Sequence, residues 1–174
     1  DWDKEENKYH YTKIKNKIRD HLSFNQDNYC AYCRFPITYG GKGEHLDHIL
    51  SKSDYPHLMF SPYNLALSCK DCNVSKNSKN VLSNFKVSTI LVPHFNFNYK
   101  IVNPYFDDYF KHIILEDGMF YRALDFNKGY NTIEMFELWS PLYNHKWATF
   151  HAIDKKTKEE KVAFRFSDIT IDEK

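Results

Sequence analysis

The sequence predicts an α+β fold: a strand–loop–strand–helix unit held by four cysteines, with an amphipathic helix before it and a mixed α/β extension after it. Three observations carry this. All four cysteines fall in two Cys-x-x-Cys pairs, "CAYC" (Cys30, Cys33) and "CKDC" (Cys69, Cys72). Between the pairs, the extended stretches "EHLDHIL" and "NLALSC" flank a polar segment broken by Pro56 and Pro62. Ahead of them, Tyr11, Ile14, Ile18 and Leu22 recur at intervals of three and four, the spacing of an amphipathic helix whose stripe packs into a core.

The 174 residues suffice for one domain with a real core, and 17% aromatic residues argue against disorder. No apolar run approaches the roughly 20 residues that span a bilayer. The first residues, "DWDKEENK", are charged and resemble no signal peptide, so a cytoplasmic location is expected. A start at Asp rather than Met is consistent with a processed form or a fragment of a longer chain. Net charge is only +1, but residues Lys70 to Lys86 hold four lysines against one acid, Asp71. Such a patch suits a phosphate backbone, although a short charge run is more often only a solvated face.

A two-residue spacer lets both thiolates of a knuckle face one ion, and two knuckles complete a tetrahedral zinc site. Two disulfides are the alternative and require an oxidising compartment. A redox Cys-x-x-Cys leaves the second pair unexplained. With four thiolate ligands, zinc has no open position and its work is architectural. It closes a long loop, where a metal clip contributes most.

Inside that clip, Gly40, Gly41 and Gly43 mark a turn, "EHLDHIL" a strand, "SKSDYPHLMFSPY" a loop and "NLALSC" a second strand. "NVSKNSKNVLSNF" follows with helical spacing of Val74, Val81 and Phe85. Asp47-His48, then Asn64-Leu65, then Cys-x-x-Cys-Asn73 with Lys76 resembles, in this order, the HNH nuclease motif, the ββα-metal (His-Me finger) hairpin, in its four-cysteine form. The resemblance covers roughly residues 28–86.

Hydrolysis of a phosphodiester needs a water made nucleophilic, a sink for transition-state charge and help for the departing oxygen. The imidazole of His48 suits a general base at neutral pH. Asp47 and the side-chain carbonyl of Asn73 are hard ligands for Mg²⁺ or Mn²⁺. The resemblance implies that Asn64 braces the loop near the base. Lys76, one helical turn past Asn73, is expected to hold the phosphate, with Lys79 as a further contact. His45 either orients a ligand from behind the site or is simply exposed; His57 and Glu44 read as solvated. Neighbours on a strand face opposite ways, so Asp47 and His48 can serve one site only at the strand's end or at a bulge. The resemblance implies the end.

In the extension, "HFNFNYKIVN" lies between Pro93 and Pro104, "HIILEDGMFYRAL" reads as a hairpin about Asp117-Gly118, and a helix is expected from about Asn131 to Trp139. "DKKTKEEK" reads as a charged loop or helix end and "VAFRF" as a strand. The expected organisation is a nuclease module with its N-terminal helix over 1–90 and an extension packed on it over 91–174. "NPYFDDYFKHI" and "TIEMFELW" are similar to the tails of small HNH proteins of bacterial anti-phage systems (Septu and retron-associated), which implies a defence role beside an ATPase partner. The reading is an HNH endonuclease acting on DNA. The alternative is a zinc-stapled module that binds nucleic acid or a partner without cutting. One metal site cuts one strand per visit, so double-strand breakage would require a homodimer or two events.

Overall fold

The structure, a computed structural model, describes residues 8–37, 44–83 and 91–157. The glycine-rich turn, Phe85 and the "VAFRF" segment lie outside the described residues, as does the end of "DKKTKEEK".

Helix α1 spans Lys8–Asn25. Its inward stripe is shorter than the spacing predicts: Leu22 is buried and Ile18 packs partly on the core, but Ile14 faces solvent. The chain leaves α1 through Gln26, whose buried amide donates to the carbonyls of Tyr29 and Leu67 and accepts from the Leu67 N–H. That side chain ties the helix end to the strand carrying the second knuckle. The first knuckle is a tight reversal in which Tyr29 bridges Pro36 and the Cys30 N–H meets the Phe35 carbonyl.

Strands β1 (Glu44–His48) and β2 (Leu65–Cys69) pair antiparallel, from Glu44 opposite Cys69 to His48 opposite Leu65. Every residue of β2 is buried, which explains its run of consecutive apolar side chains. The connection holds two 3-10 turns, Pro56–Leu58 and Pro62–Asn64, each opened by a proline whose missing N–H costs nothing at a first helical position.

Helix α2 (Lys70–Lys76) follows β2 without a loop, and the Cys69 thiol caps it by accepting the Cys72 N–H. The apolar spacing from Val74 to Phe85 overstates this helix. It stops at Asn77, whose φ of 46° is left-handed, and its inward positions are Cys72 and Lys76. Val74, half a turn away, is 64% exposed, while Val81 is buried in extended chain beyond the helix. That chain pairs back through a bridge between Leu82 and Tyr99.

Strands β3 (Ile113–Glu116) and β4 (Phe120–Ala123) form the expected hairpin. Asp117 and Gly118 both take positive φ, 49° and 68°, and the Met119 N–H closes on the Glu116 carbonyl. The paired ends are Glu116 and Phe120, so three residues connect the strands. Helix α3 runs Lys128–Met135, earlier than the expected Asn131 to Trp139, because Asp125 accepts the N–H groups of Asn127 and Gly129 at its start. It ends where Glu137 turns left-handed and the Leu138 N–H reaches back to the Ile133 carbonyl. Helix α4 (Pro141–Thr157) completes the described chain.

The architecture is thus small α+β, with two short antiparallel sheets and four α-helices among the described residues. One hydrophobic core runs from Leu22 through both knuckles to Tyr143. Tyr32 stacks on Phe136 at 4.1 Å, Phe35 meets Trp147 edge-on, and the Tyr121 hydroxyl donates to the Cys33 carbonyl. No helix among the described residues is long and apolar enough to cross a membrane.

Candidate active site

The knuckles bring Cys30, Cys33, Cys69 and Cys72 together, fully buried, with all four sulfurs within 4.8 Å of one another. Sγ of Cys33 and Sγ of Cys69 lie 3.7 Å apart. A disulfide needs about 2.05 Å, whereas tetrahedral zinc with Zn–S bonds of about 2.3 Å places sulfurs about 3.8 Å apart. None of the four is in a disulfide. Burial and the neighbouring sulfurs push Cys33 and Cys72 well above the ordinary thiol range. Cys30 is also desolvated, but hydrogen bonds from the other three hold it well below that range. Four sulfurs so placed cannot all ionise without a cation among them, and the donor set fits a structural zinc. Backbone N–H groups of Cys69 and Cys72 point at sulfurs, and the Tyr143 hydroxyl of α4 lies 3.2 Å from Sγ of Cys72.

Where β1 ends, a cleft of about 580 Å³ is lined by His45, Asp47, His48 and Asn73 together. The β1–β2 ladder is unbroken up to His48, so no bulge turns the strand and the two neighbours share the cleft at its last residues. Nε2 of His48 lies 3.0 Å from the Met59 carbonyl, which can only accept; Nε2 therefore carries the proton and Nδ1 keeps its lone pair. Desolvation lowers the pKa of His48, against the opposing pull of that hydrogen bond and of Asp47, and the charges of Lys52 and Lys76 lower it further.

Met59 belongs to the connection between the strands, and Asn64 holds that connection in shape. Fully buried, Asn64 accepts the Leu50 N–H at 2.7 Å and donates to the carbonyls of Leu50 and Leu58, both at 3.1 Å. Nδ2 of Asn73 lies 3.4 Å from Nδ1 of His45. With the amide nitrogen turned to His45, the Asn73 carbonyl oxygen remains for another partner.

Asp47 is buried, and both its oxygens are already engaged. Oδ2 accepts the Tyr32 hydroxyl at 2.5 Å, and Oδ1 lies 3.1 Å from the ammonium of Lys76. Lys76 also donates to the His48 carbonyl at 2.6 Å. The expectation that Lys76 holds a phosphate is therefore corrected: its side chain is 1% exposed and faces inward. Lys79 is exposed, with its ammonium 3.3 Å from the Met135 carbonyl. Glu44, read as solvated, instead has a side chain 4% exposed and paired with Arg19. Each Asp47 oxygen has a second lone pair, so Asp47 and the Asn73 carbonyl offer, in one cleft, hard oxygens of the kind a divalent cation takes.

Sequence reasoning missed three groups here. Tyr32 reads as the filler of a knuckle, yet its hydroxyl anchors Asp47. Tyr143 gives no signal of a sulfur contact across 71 positions. Lys15 and Arg19 of α1 and Lys52 of the connection line the same cleft as His48. The four-residue spacing of Lys15 and Arg19 places them on one helix face, the one hint available in advance.

No curated protein and no solved structure matches the chain. Residues 30–79 match the family model described as HNH endonuclease. That segment runs from the first cysteine of the cluster past the last and contains His45, Asp47, His48, Asn64, Asn73 and Lys76. Within residues 30–79, then, the chain is similar to HNH endonucleases, enzymes of nucleic-acid cleavage that use divalent metals.

Proposed function

We propose that this chain is a metal-dependent endonuclease that hydrolyses phosphodiester bonds in DNA. The observation that carries the reading is the placement of His48: its Nε2–H is held by the Met59 carbonyl, which leaves Nδ1 to accept, in one cleft with Asp47 and Asn73. In this reading Nδ1 of His48 takes the proton from the attacking water. Asp47 and Asn73 hold a Mg²⁺ or Mn²⁺ ion, which when bound supplies positive charge for the phosphorane-like transition state and the leaving oxygen. His45 orients the Asn73 amide. Asn64, through the connection, fixes where Met59 and therefore the base stand. Lys76 positions Asp47 rather than contacting substrate. The zinc staple fixes the start of α2, because Cys72 precedes Asn73 directly.

The test is plasmid cleavage with Mg²⁺ or Mn²⁺. His48→Ala should lower the rate by roughly two to four orders of magnitude, with zinc content unchanged. Undiminished cleavage in that variant would end the assignment of the base. The defence role, the ATPase partner and the homodimer rest on the likeness of the tail and on strand-cleavage logic; co-purification with an ATPase from a host carrying the chain tests the first two. A binding module that does not cut is the outcome favoured if no divalent ion supports cleavage.

A further inference from the structure

The phosphate grip expected of Lys76 must come from elsewhere, since that ammonium is committed to Asp47 and the His48 carbonyl. Two elements far apart in sequence bring other cations to the cleft: α1 supplies Lys15 and Arg19, and the connection after β1 supplies Lys52 beside Ser51 and Ser53. The carboxylates in its wall, Glu44 and Asp47, face Arg19 and Lys76 as partners. Among the described residues lining the cleft, Lys15, Arg19 and Lys52 stand against Glu44 and Asp47, and an excess of positive charge in a cleft concentrates polyanions. Lys52 is exposed and close enough to act electrostatically on His48. Among the described residues lining the cleft there is no Phe, Tyr or Trp, so it lacks the stacking platforms on which unpaired bases are held.

We infer that Lys15 of α1 and Lys52 of the connection are the phosphate contacts that seat a DNA duplex across the cleft by its backbone, without reading its bases. This rests on the nuclease reading of the same cleft and adds substrate form and residues outside the usual catalytic set. Each such contact releases about one counterion, so binding should weaken steeply with salt.

The experiment measures the Kd of the His48→Ala protein for two unrelated DNA duplexes of equal length, across a salt series. Replacing both Lys15 and Lys52 by Ala should flatten the plot of log Kd against log salt by about 1.8, at about 0.9 per phosphate contact, equally for both duplexes. The control replaces Lys13 and Lys17 by Ala, which removes the same charge from exposed positions of α1 outside the cleft lining; its slope should stay near that of the parent. An unchanged slope in the first variant, an equal loss in the control, or no duplex binding at all overturns the inference. The two readings fail separately. Wild-type cleavage with an unchanged slope sinks the phosphate contacts alone, while a flattened slope without cleavage keeps them and sinks the nuclease.

Discussion

The ammonium of Lys76 lies 3.1 Å from Oδ1 of Asp47, with 1% and 7% of the two side chains exposed. A cation thus already neutralises the carboxylate proposed to hold a divalent ion. Removing one partner of a buried ion pair leaves an unpaired buried charge, which costs about 3–5 kcal/mol. Lys76→Ala should lose about that much stability in urea unfolding. The bare carboxylate should then recruit a cation, so added Mg²⁺ should raise the thermal midpoint of the variant more than that of the wild type. A variant as stable as wild type, with no gain in its response to Mg²⁺, would show that the pair does not hold Asp47.

Asn64 closes three hydrogen bonds on the connection between β1 and β2. Asn64→Ala leaves the buried Leu50 N–H and carbonyl unpaired at about 1–3 kcal/mol each, while the Leu58 carbonyl keeps the Ser61 N–H, so a loss of at least about 2 kcal/mol is expected. Because this connection carries Met59, cleavage should fall well below the melting range while zinc stoichiometry holds. Full activity at a temperature where the variant is folded would separate the brace from the base.

Tyr143 connects α4 to the four-cysteine cluster through Sγ of Cys72, and Lys146 of the same helix pairs with Asp71. Partners of metal ligands typically change metal affinity by about 10–100-fold. Tyr143→Phe keeps the ring and deletes the donor; it should lose zinc to a competing chelator at about tenfold lower chelator concentration than wild type. Unaltered competition would make Tyr143 a packing residue only.

Asp125 accepts from His112 and caps α3. Slight burial raises its pKa, but the hydrogen bonds from His112, Gly129 and Asn127 outweigh this and hold it below the ordinary 3.8. A carboxyl depressed on folding stabilises the folded state above its unfolded pKa, and this contribution is lost as pH falls through the folded value. In urea unfolding, Asp125→Asn should be less stable than wild type above pH 3.8, with the difference closing below it. A gap that persists undiminished in acid would assign the effect to shape rather than charge.

Much of the site was legible because its signals are short-range. A two-residue spacer makes a knuckle wherever a metal can close it, and two extended stretches flanking a proline-broken segment between the knuckles make a hairpin. Prolines at 56 and 62 open turns because their fixed φ suits a first helical position. The helix after the second knuckle was read too long for an instructive reason. Apolar periodicity assumes that the inward face is apolar, and here that face is Cys72 and Lys76. With a lysine inside, Val74 is left in solvent and the pattern from Val74 to Phe85 points the wrong way.

By itself, then, the sequence determined the four-sulfur cluster and the strand–connection–strand–helix order, and it named His48, Asp47, Asn64 and Asn73 as candidates, because each depends on chemistry and spacing within a few residues. Tertiary structure alone decided that Lys76 turns inward to Asp47, that Tyr32 and Tyr143 bring hydroxyls to a carboxylate and a sulfur, and that Lys15 and Lys52 line one cleft. Those contacts join residues separated by 15 to 71 positions. A side chain's partner at such range is set by how helices and strands pack, and no local pattern of residues encodes it.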